Sequence, residues 1–260
     1  MDPWRLRARG DVQPGPRLGL RRVGRARDPA LVPRTRLILA SASPRRREIL
    51  SALGVAFEVV VPKVDELTEG DPETAVLENA RRKARAVVER VGARDAVLAA
   101  DTEVVVDGRI LGKAANEDEA RERLRVLSGR THEVLTGAVV IGPVDTPKGD
   151  SVRRGVTDST LDQGALSSAP EGVTERSGVA RSRVTFRELE AGLIEMYVAS
   201  GEWRDRAGAY AVQGLGSALV VRADGDLSNV IGLPVSLLLE LAPELLDSAG
   251  GSLPNAGPSA

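Results

Sequence analysis

A short apolar segment, a serine-containing turn and an arginine-rich stretch follow one another directly in this sequence, and together they limit the fold. Residues 37–40 are all apolar and long enough for a buried strand. Ser43 and Pro44 then provide a helix N-cap and a first helical residue whose backbone angle is pre-set. Ile49 and Leu50 give the helix an apolar face. The order strand, tight turn and helix indicates an α/β protein.

The charge at the start of that helix is unusual. Arg45, Arg46 and Arg47 fall in its first turn, where the helix dipole disfavours cations by up to about 1 kcal/mol each. Free backbone N–H groups, the hydroxyls of Ser41 and Ser43 and the guanidinium groups together indicate an anion site, for which a phosphate chain is a natural ligand. A solvated basic helix end is the alternative, and a short basic motif favours the anion site only modestly.

The composition excludes several kinds of chemistry. The 260 residues contain no cysteine, which excludes disulfides and thiolate catalysis, and only one histidine, His132, which we expect to be structural. A divalent metal would need carboxylate and substrate oxygens, which favours Mg²⁺ or Mn²⁺. The net charge of −1 predicts no binding to nucleic acid, and no apolar run approaches the ~20 residues that span a membrane. We expect a cytoplasmic protein.

Three segments lack the pattern of a folded domain. Residues 1–34 are rich in arginine and proline without periodicity, which predicts a disordered basic extension. Residues 143–180 are rich in Gly, Ser, Asp and Thr, which predicts a flexible insertion. A disordered tail is expected at 248–260. The remainder, 35–247, is predicted to be a single catalytic domain.

Charged side chains follow the predicted strands and helices near the arginine-rich turn. Glu66 lies on a loop after a strand predicted at 55–61. Lys83 lies at the margin of a helix stripe, where it either snorkels from the core or reaches towards phosphate. Asp101 and Thr102 follow a buried apolar run, at the kind of sheet edge where α/β proteins bind ligands. A carboxylate there can accept a proton from water, bind a metal, or do both.

Four segments resemble, in order, the motifs of the Maf family of nucleoside triphosphate pyrophosphatases. They are S-A-S-P-R-R-R-E-I-L from Ser41, A-D-T-E-V-V-V-D-G-R-I-L-G-K at 100–113, S-G-E-W-R-D-R-A-G-A-Y-A-V-Q-G-L-G at 200–216, and S-N-V-I-G-L-P at 228–234. The resemblance covers residues 36–246 apart from the insertion. The family usually has proline at positions 114 and 203 and lysine at position 206, where this chain has Ala114, Trp203 and Arg206. Trp203 could stack on a base or cover the core.

The resemblance implies a fold and a reaction. The fold would be a mixed α/β sheet flanked by helices around a central nucleotide-binding groove, of the kind found in Maf and ITPase-like proteins. The reaction would be hydrolysis of a nucleoside triphosphate between its α and β phosphates. The pairing of A-D-T at 100–102 with A-Y-x-x-Q-G at 209–214 implies dTTP and UTP as substrates, in an enzyme that removes unwanted or modified nucleotides.

The resemblance also implies a role for each candidate site residue. Glu66 and Asp101 would be catalytic and would hold the divalent cation, Mg²⁺ or Mn²⁺, with Asp101 as the proton acceptor for water. Thr102 and Gln213 would set the base preference, and the amide of Gln213 can both donate and accept along a pyrimidine edge. The other expected residues are Lys83 and Lys113, which would neutralise the triphosphate in the transition state, and the substrate-binding Ser41, Arg45 and Arg46.

Three alternatives stay open from the sequence. The same reaction could act on 7-methyl-GTP. The chain could instead be a nucleotide-binding regulator of cell division without turnover, although the intact Asp101 and Lys113 argue against this. A nucleic-acid-binding protein would depend on the basic N-terminus alone. The oligomeric state is also open, with a homodimer among the choices.

Overall fold

The computed structural model describes residues 36–92, 94–143 and 173–247. The predicted extension at 1–34, the predicted tail at 248–260 and most of the predicted insertion lie outside these ranges. The strands are β1 (Leu37–Leu39), β2 (Phe57–Val59), β3 (Ala96–Val106), β4 (Arg109–Ile110), β5 (Thr131–Pro143), β6 (Val173–Phe186) and β7 (Val220–Asp224). The α-helices are α1 (Pro44–Ala52), α2 (Pro72–Val88), α3 (Glu117–Leu127), α4 (Ala191–Ser200), α5 (Leu227–Ile231), α6 (Val235–Leu241) and α7 (Glu244–Asp247), and a 3-10 helix covers Gly214–Ala218.

The sheet is mixed, and its order is β2-β1-β3-β5-β6-β7, with β4 paired to β3. β1 runs parallel to both β2 and β3, whereas β3, β5, β6 and β7 pair antiparallel. The pairing of β1 with β3 ends at Leu39 and Leu98, so β3 continues beyond the carboxyl end of β1. Asp101 therefore lies on the segment of β3 that passes this end. The predicted fold class, a mixed α/β sheet flanked by helices, is confirmed.

Alternation along β3 directs neighbouring side chains to opposite faces of the sheet. Val97 and Ala99 pack with helix α2, whereas Leu98 and Ala100 pack in a separate cluster that includes residues of α1 and α6. Helix α2 lies unusually close to the sheet, because a Cβ atom at Gly137 of β5 would lie 2.4 Å from a backbone carbonyl of α2. Asp101 therefore faces α2, and Thr102 faces the other side.

Two local expectations were wrong. β6 begins at Val173 rather than after residue 180, because Pro143 pairs with Val173 and the ladder continues unbroken from there. The Ser43 side chain does not cap α1; instead its backbone N–H donates to the Ser41 hydroxyl at 3.1 Å. None of the helices in the described ranges is both long and apolar enough to cross a bilayer.

Candidate active site

A groove with a volume of about 520 Å³ opens beside the carboxyl end of β1. Its walls come from the start of α1, the loop after β2, the middle of β3 and the segments at 204–213 and 230–232. Every candidate site residue expected from the sequence lines it, and these residues are Ser41, Arg45, Arg46, Glu66, Lys83, Asp101, Thr102, Lys113 and Gln213.

Lys83 joins the two expected metal-binding carboxylates. Its Nζ atom lies 2.5 Å from Oδ1 of Asp101 and 2.7 Å from Oε1 of Glu66. The side chains of Lys83 and Asp101 are only 9% and 6% exposed, while that of Glu66 is 36% exposed. Lys83 therefore points into the groove rather than snorkelling along the surface, and its ammonium contacts carboxylates there.

Asn79 is a fourth member of this group, and sequence reasoning missed it. Its side-chain amide donates to Oδ2 of Asp101 at 2.9 Å and to the carbonyl of Leu67 at 3.0 Å. It also accepts from the Leu67 N–H at 2.7 Å. Asn79 therefore holds both the Asp101 carboxylate and the loop that carries Glu66. The available signal was a polar residue one turn before Lys83 on the apolar stripe of α2.

Arg46 is buried and connects three segments of the chain at the base of the groove. Its three nitrogens donate separately to the carbonyl of Gly232 at 2.8 Å, the hydroxyl of Ser41 at 3.1 Å and the hydroxyl of Thr102 at 3.2 Å. Burial lowers the pKa of Arg46, while the charges of Asp101 and Glu66 raise it. The guanidinium is thus committed to protein atoms and contributes positive charge from beneath the groove.

The hydroxyl of Thr102, like the guanidinium of Arg46, is hydrogen-bonded to other protein groups. Its hydroxyl accepts from Arg46 and lies 2.9 Å from the hydroxyl of Thr136. Because its oxygen is already bonded on two sides, Thr102 can shape the groove more readily than it can bind a base directly.

Several further cations line the groove and have no salt-bridge partner within the described residues. Among the described residues, Arg45, Lys113 and Arg206 form no salt bridge, although Arg45 donates to the carbonyl of Ile231 at 3.2 Å. Burial and the neighbouring Arg206 and Arg46 lower the pKa of Arg45 to about 10, so it stays charged at neutral pH. Lys113 is brought in by an isolated β-bridge between its own backbone and that of Ala207. Positive charge that no salt bridge neutralises favours a polyanionic ligand.

Gln213 lines the groove at the end of the 204–213 segment. It is exposed, directly precedes the 3-10 helix, and its side-chain amide makes no hydrogen bond within the described residues. The amide is therefore free to bind a ligand.

Glu103 is a carboxylate of the groove to which sequence reasoning gave no role. It is 7% exposed, and its Oε2 atom has no hydrogen-bond partner within the described part of the chain. Burial and the charge of Asp101 raise its pKa to about 8, with a partial offset from Lys113. The available signal was its two-residue spacing from Asp101 on one strand, which puts both on one face.

The donor set fits a cation that is shared with a substrate, not a preformed metal cage. No group of three or more His, Cys, Asp or Glu side chains suited to a metal occurs in the ranges that the structure describes. Asp101 and Glu66 both contact the Lys83 ammonium, so a cation held by the two carboxylates would need the lone pairs that Lys83 does not use. Mg²⁺ is commonly bound by one or two carboxylates together with substrate phosphates.

Trp203, whose interpretation was open, and His132, which was expected to be structural, are both buried. Trp203 is 4% exposed and its Nε1 donates to the carbonyl of Val198 at 3.1 Å, so it covers the core and is not available to stack on a base. His132 is buried, and its Nε2 lies 2.7 Å from the hydroxyl of Tyr210.

A family model and several curated relatives match most of this chain. The family model described as Maf-like protein matches residues 36–245. A dTTP/UTP pyrophosphatase of Deinococcus radiodurans is 42% identical over 208 residues, covering 79% of this chain and 91% of the relative. A dTTP/UTP pyrophosphatase of an Anaeromyxobacter species is 45% identical over 221 residues, covering 84% and 92%. The solved structure of the Staphylococcus aureus Ham1 protein matches with 15% identity and a TM-score of 0.33, covering 58% of this chain and 72% of that one.

Proposed function

The chain belongs to the Maf family, and from this premise we propose that it hydrolyses dTTP and UTP between the α and β phosphates, giving the monophosphate and pyrophosphate. Relatives that are 42% and 45% identical carry the name dTTP/UTP pyrophosphatase. The observation in this chain that carries the proposal is a buried carboxylate, held by Lys83 and Asn79, in a groove lined by cations without carboxylate partners.

Binding of the triphosphate is assigned to the free cations. Arg45, Lys113 and Arg206 face the groove, and each can donate to phosphate oxygens without first breaking a salt bridge. Their charge stabilises the transition state, in which negative charge develops on the leaving pyrophosphate. Arg46 adds charge from below and keeps Ser41 and Thr102 in place.

Water activation is assigned to Asp101. Lys83 and Asn79 donate to its two oxygens and so fix the orientation of the carboxylate, which leaves further lone pairs to accept a proton from water. A divalent cation, Mg²⁺ or Mn²⁺, held by Asp101, Glu66 and phosphate oxygens, would supply Lewis acidity at the scissile phosphate.

Base recognition is assigned mainly to Gln213. Its unpartnered amide can accept from a ring N–H and donate to a ring carbonyl, the pattern that uracil and thymine present side by side. Thr102 contributes by shaping the floor of the groove. We also propose a cytoplasmic location, because nucleoside triphosphates are abundant there and the chain has no cysteine.

The test is pyrophosphate release from dTTP, UTP, CTP, GTP and 7-methyl-GTP with Mg²⁺. We expect release from dTTP and UTP by the wild type and a loss of at least about 100-fold in Asp101→Asn. The matched control is Asp118→Asn, a change at a side chain that is 96% exposed. Release from 7-methyl-GTP alone would overturn the base assignment, and nucleotide binding without any release would overturn the proposed activity.

A further inference from the structure

Glu202 binds the backbone that follows Gln213. Its Oε1 accepts from the N–H of Leu215 at 3.1 Å, and its Oε2 accepts from the N–H of Gly216 at 3.2 Å. These two N–H groups belong to the first turn of the 3-10 helix, which begins one residue after Gln213. The carboxylate of Glu202, eleven residues before Gln213 in the chain, therefore anchors the segment that follows Gln213.

The backbone around Gln213 has little room to move. Gly214 has a positive φ of 61°, and a Cβ atom there would lie 2.6 Å from Oε1 of Glu202. A Cβ atom at Gly216 would lie 1.9 Å from the carbonyl oxygen of Ala211. The segment is thus packed directly against Glu202 on one side and against the backbone of Ala211 on the other. Removing the Glu202 carboxylate would remove the packing contact on one of these two sides.

The backbone of Glu202 has a second, separate contact. Its carbonyl accepts from Nε of Arg206, one of the free cations of the groove. The side chain of Glu202 therefore contacts the backbone that follows Gln213, whereas its backbone carbonyl contacts Arg206, to which we assign phosphate binding. Because a substitution removes only the side chain, the two contributions can be separated by experiment.

We propose that Glu202 is a positioning residue for base selectivity: its carboxylate holds the 3-10 helix so that the Gln213 amide faces the base of a bound nucleotide. The inference rests on the proposed function for the identity of the ligand. It adds a residue whose side chain acts through Gln213 and not through phosphate, water or metal. Sequence reasoning gave Glu202 no role, since thirteen and fourteen residues separate it from the N–H groups it binds.

The experiment measures binding, so that it does not depend on turnover. In the Asp101→Asn background, UTP and CTP are titrated calorimetrically in Mg²⁺, and the ratio of the two Kd values is the selectivity. We expect Glu202→Ala and Gln213→Ala each to reduce the preference for UTP by about tenfold, the value of one misplaced hydrogen-bonding group. Glu202→Gln, which keeps one accepting oxygen, should lose less. The double variant should be no less selective than Gln213→Ala alone.

Two further readouts separate positioning from a general loss of structure. The Kd of inorganic tripolyphosphate, obtained from its competition with the nucleotide, should change less than about twofold in Glu202→Ala. The backbone contact to Arg206 remains in that variant. Glu240→Ala, at an exposed position on α6, should leave the ratio unchanged. An unchanged ratio in Glu202→Ala, a further drop in the double variant, or an equal loss of tripolyphosphate binding would each overturn the inference. Failure of the proposed function would show separately, as no pyrophosphate release from UTP by the wild type.

Discussion

The ammonium nitrogen of Lys83 lies 2.5 Å from Oδ1 of Asp101, and both side chains are almost fully buried. The contact joins helix α2 to strand β3 at the point where β3 has passed the end of β1. The pair is shared with Glu66, which the same ammonium contacts at 2.7 Å. One ammonium group is thus shared by two carboxylates, and these contacts hold the three side chains together.

Lys83→Met should destabilise the protein by about 3 kcal/mol or more, because it leaves Asp101 buried without its counter-ion. The measurement is the free energy of unfolding in urea. Arg82→Met is the matched control, since Arg82 is the next residue on α2 and its pair with Glu78 is partly exposed. That control should cost less than about 1 kcal/mol. Equal losses of unfolding free energy in the two variants would show that the buried Lys83 pair stabilises the protein no more than the partly exposed Arg82 pair.

Arg46→Lys should reduce hydrolysis of UTP by at least about tenfold and lower stability by about 1–3 kcal/mol. A lysine ammonium cannot reproduce the fork that reaches Ser41, Thr102 and Gly232 at once. Steady-state kinetics and urea unfolding provide the two measurements. Arg47→Lys, at the exposed neighbouring position, is the control and should match the wild type. Wild-type behaviour of Arg46→Lys would mean that charge alone, without the fork, is sufficient.

His132 should make the protein less stable in mild acid. Burial and the nearby Arg130 lower the pKa of His132 to about 4, whereas the unfolded value is about 6.5. Between these values the unfolded state binds more protons, so the free energy of unfolding falls as the pH falls from about 6.5 towards about 4. The wild type should therefore lose more stability than His132→Gln between about pH 7 and about pH 5, measured in urea without metal. Equal losses of stability in the wild type and in His132→Gln would show that other groups cause the acid sensitivity.

Chelation should stop turnover, and added Mg²⁺ or Mn²⁺ should restore it. Glu66→Gln should raise the metal concentration needed for half-maximal activity by about tenfold or more, because one of two charged ligands is lost. Titration of each metal against activity, with Mn²⁺ binding followed by electron paramagnetic resonance, makes the comparison. Asp65→Asn is the neighbouring control, as Asp65 does not line the groove. Full activity in EDTA would refute the metal assignment.

Local patterns in the sequence were enough to locate the main elements and most of the groove. Asp71 before Pro72, and Asn116 three residues before Glu119, are patterns typical of helix N-caps. Both caps form, with side chains that accept from the N–H groups of Thr74 and Glu119 at 2.9 Å. Asp101 was found because a carboxylate directly after an apolar run has few structural reasons to be there. Such signals depend on residues close together in the chain, which is why they can be read without the fold.

The parts that could not be predicted depend on long-range partners. The roles of Asn79 and Glu202 appear only once each meets backbone groups twelve to fourteen residues away. The start of β6 at Val173 was missed because residues 173–180 are half-buried and polar, without apolar alternation. Their strand conformation comes from pairing with β5, and a register of that kind is a property of two segments and not of one.

The pairing of Pro143 with Val173 also has a practical consequence for protein engineering. Both ends of the intervening segment of the chain meet at paired positions of one ladder, six residues along β5 from Gly137, the partner of Asp101 on β3. Along a strand this is about 20 Å. Because the entropy of closing a loop changes slowly with its length, the junction should accept a short turn, an affinity tag or a whole reporter domain in place of residues 144–172. It offers a graft point through which the enzyme can be labelled or tethered without touching its chemistry.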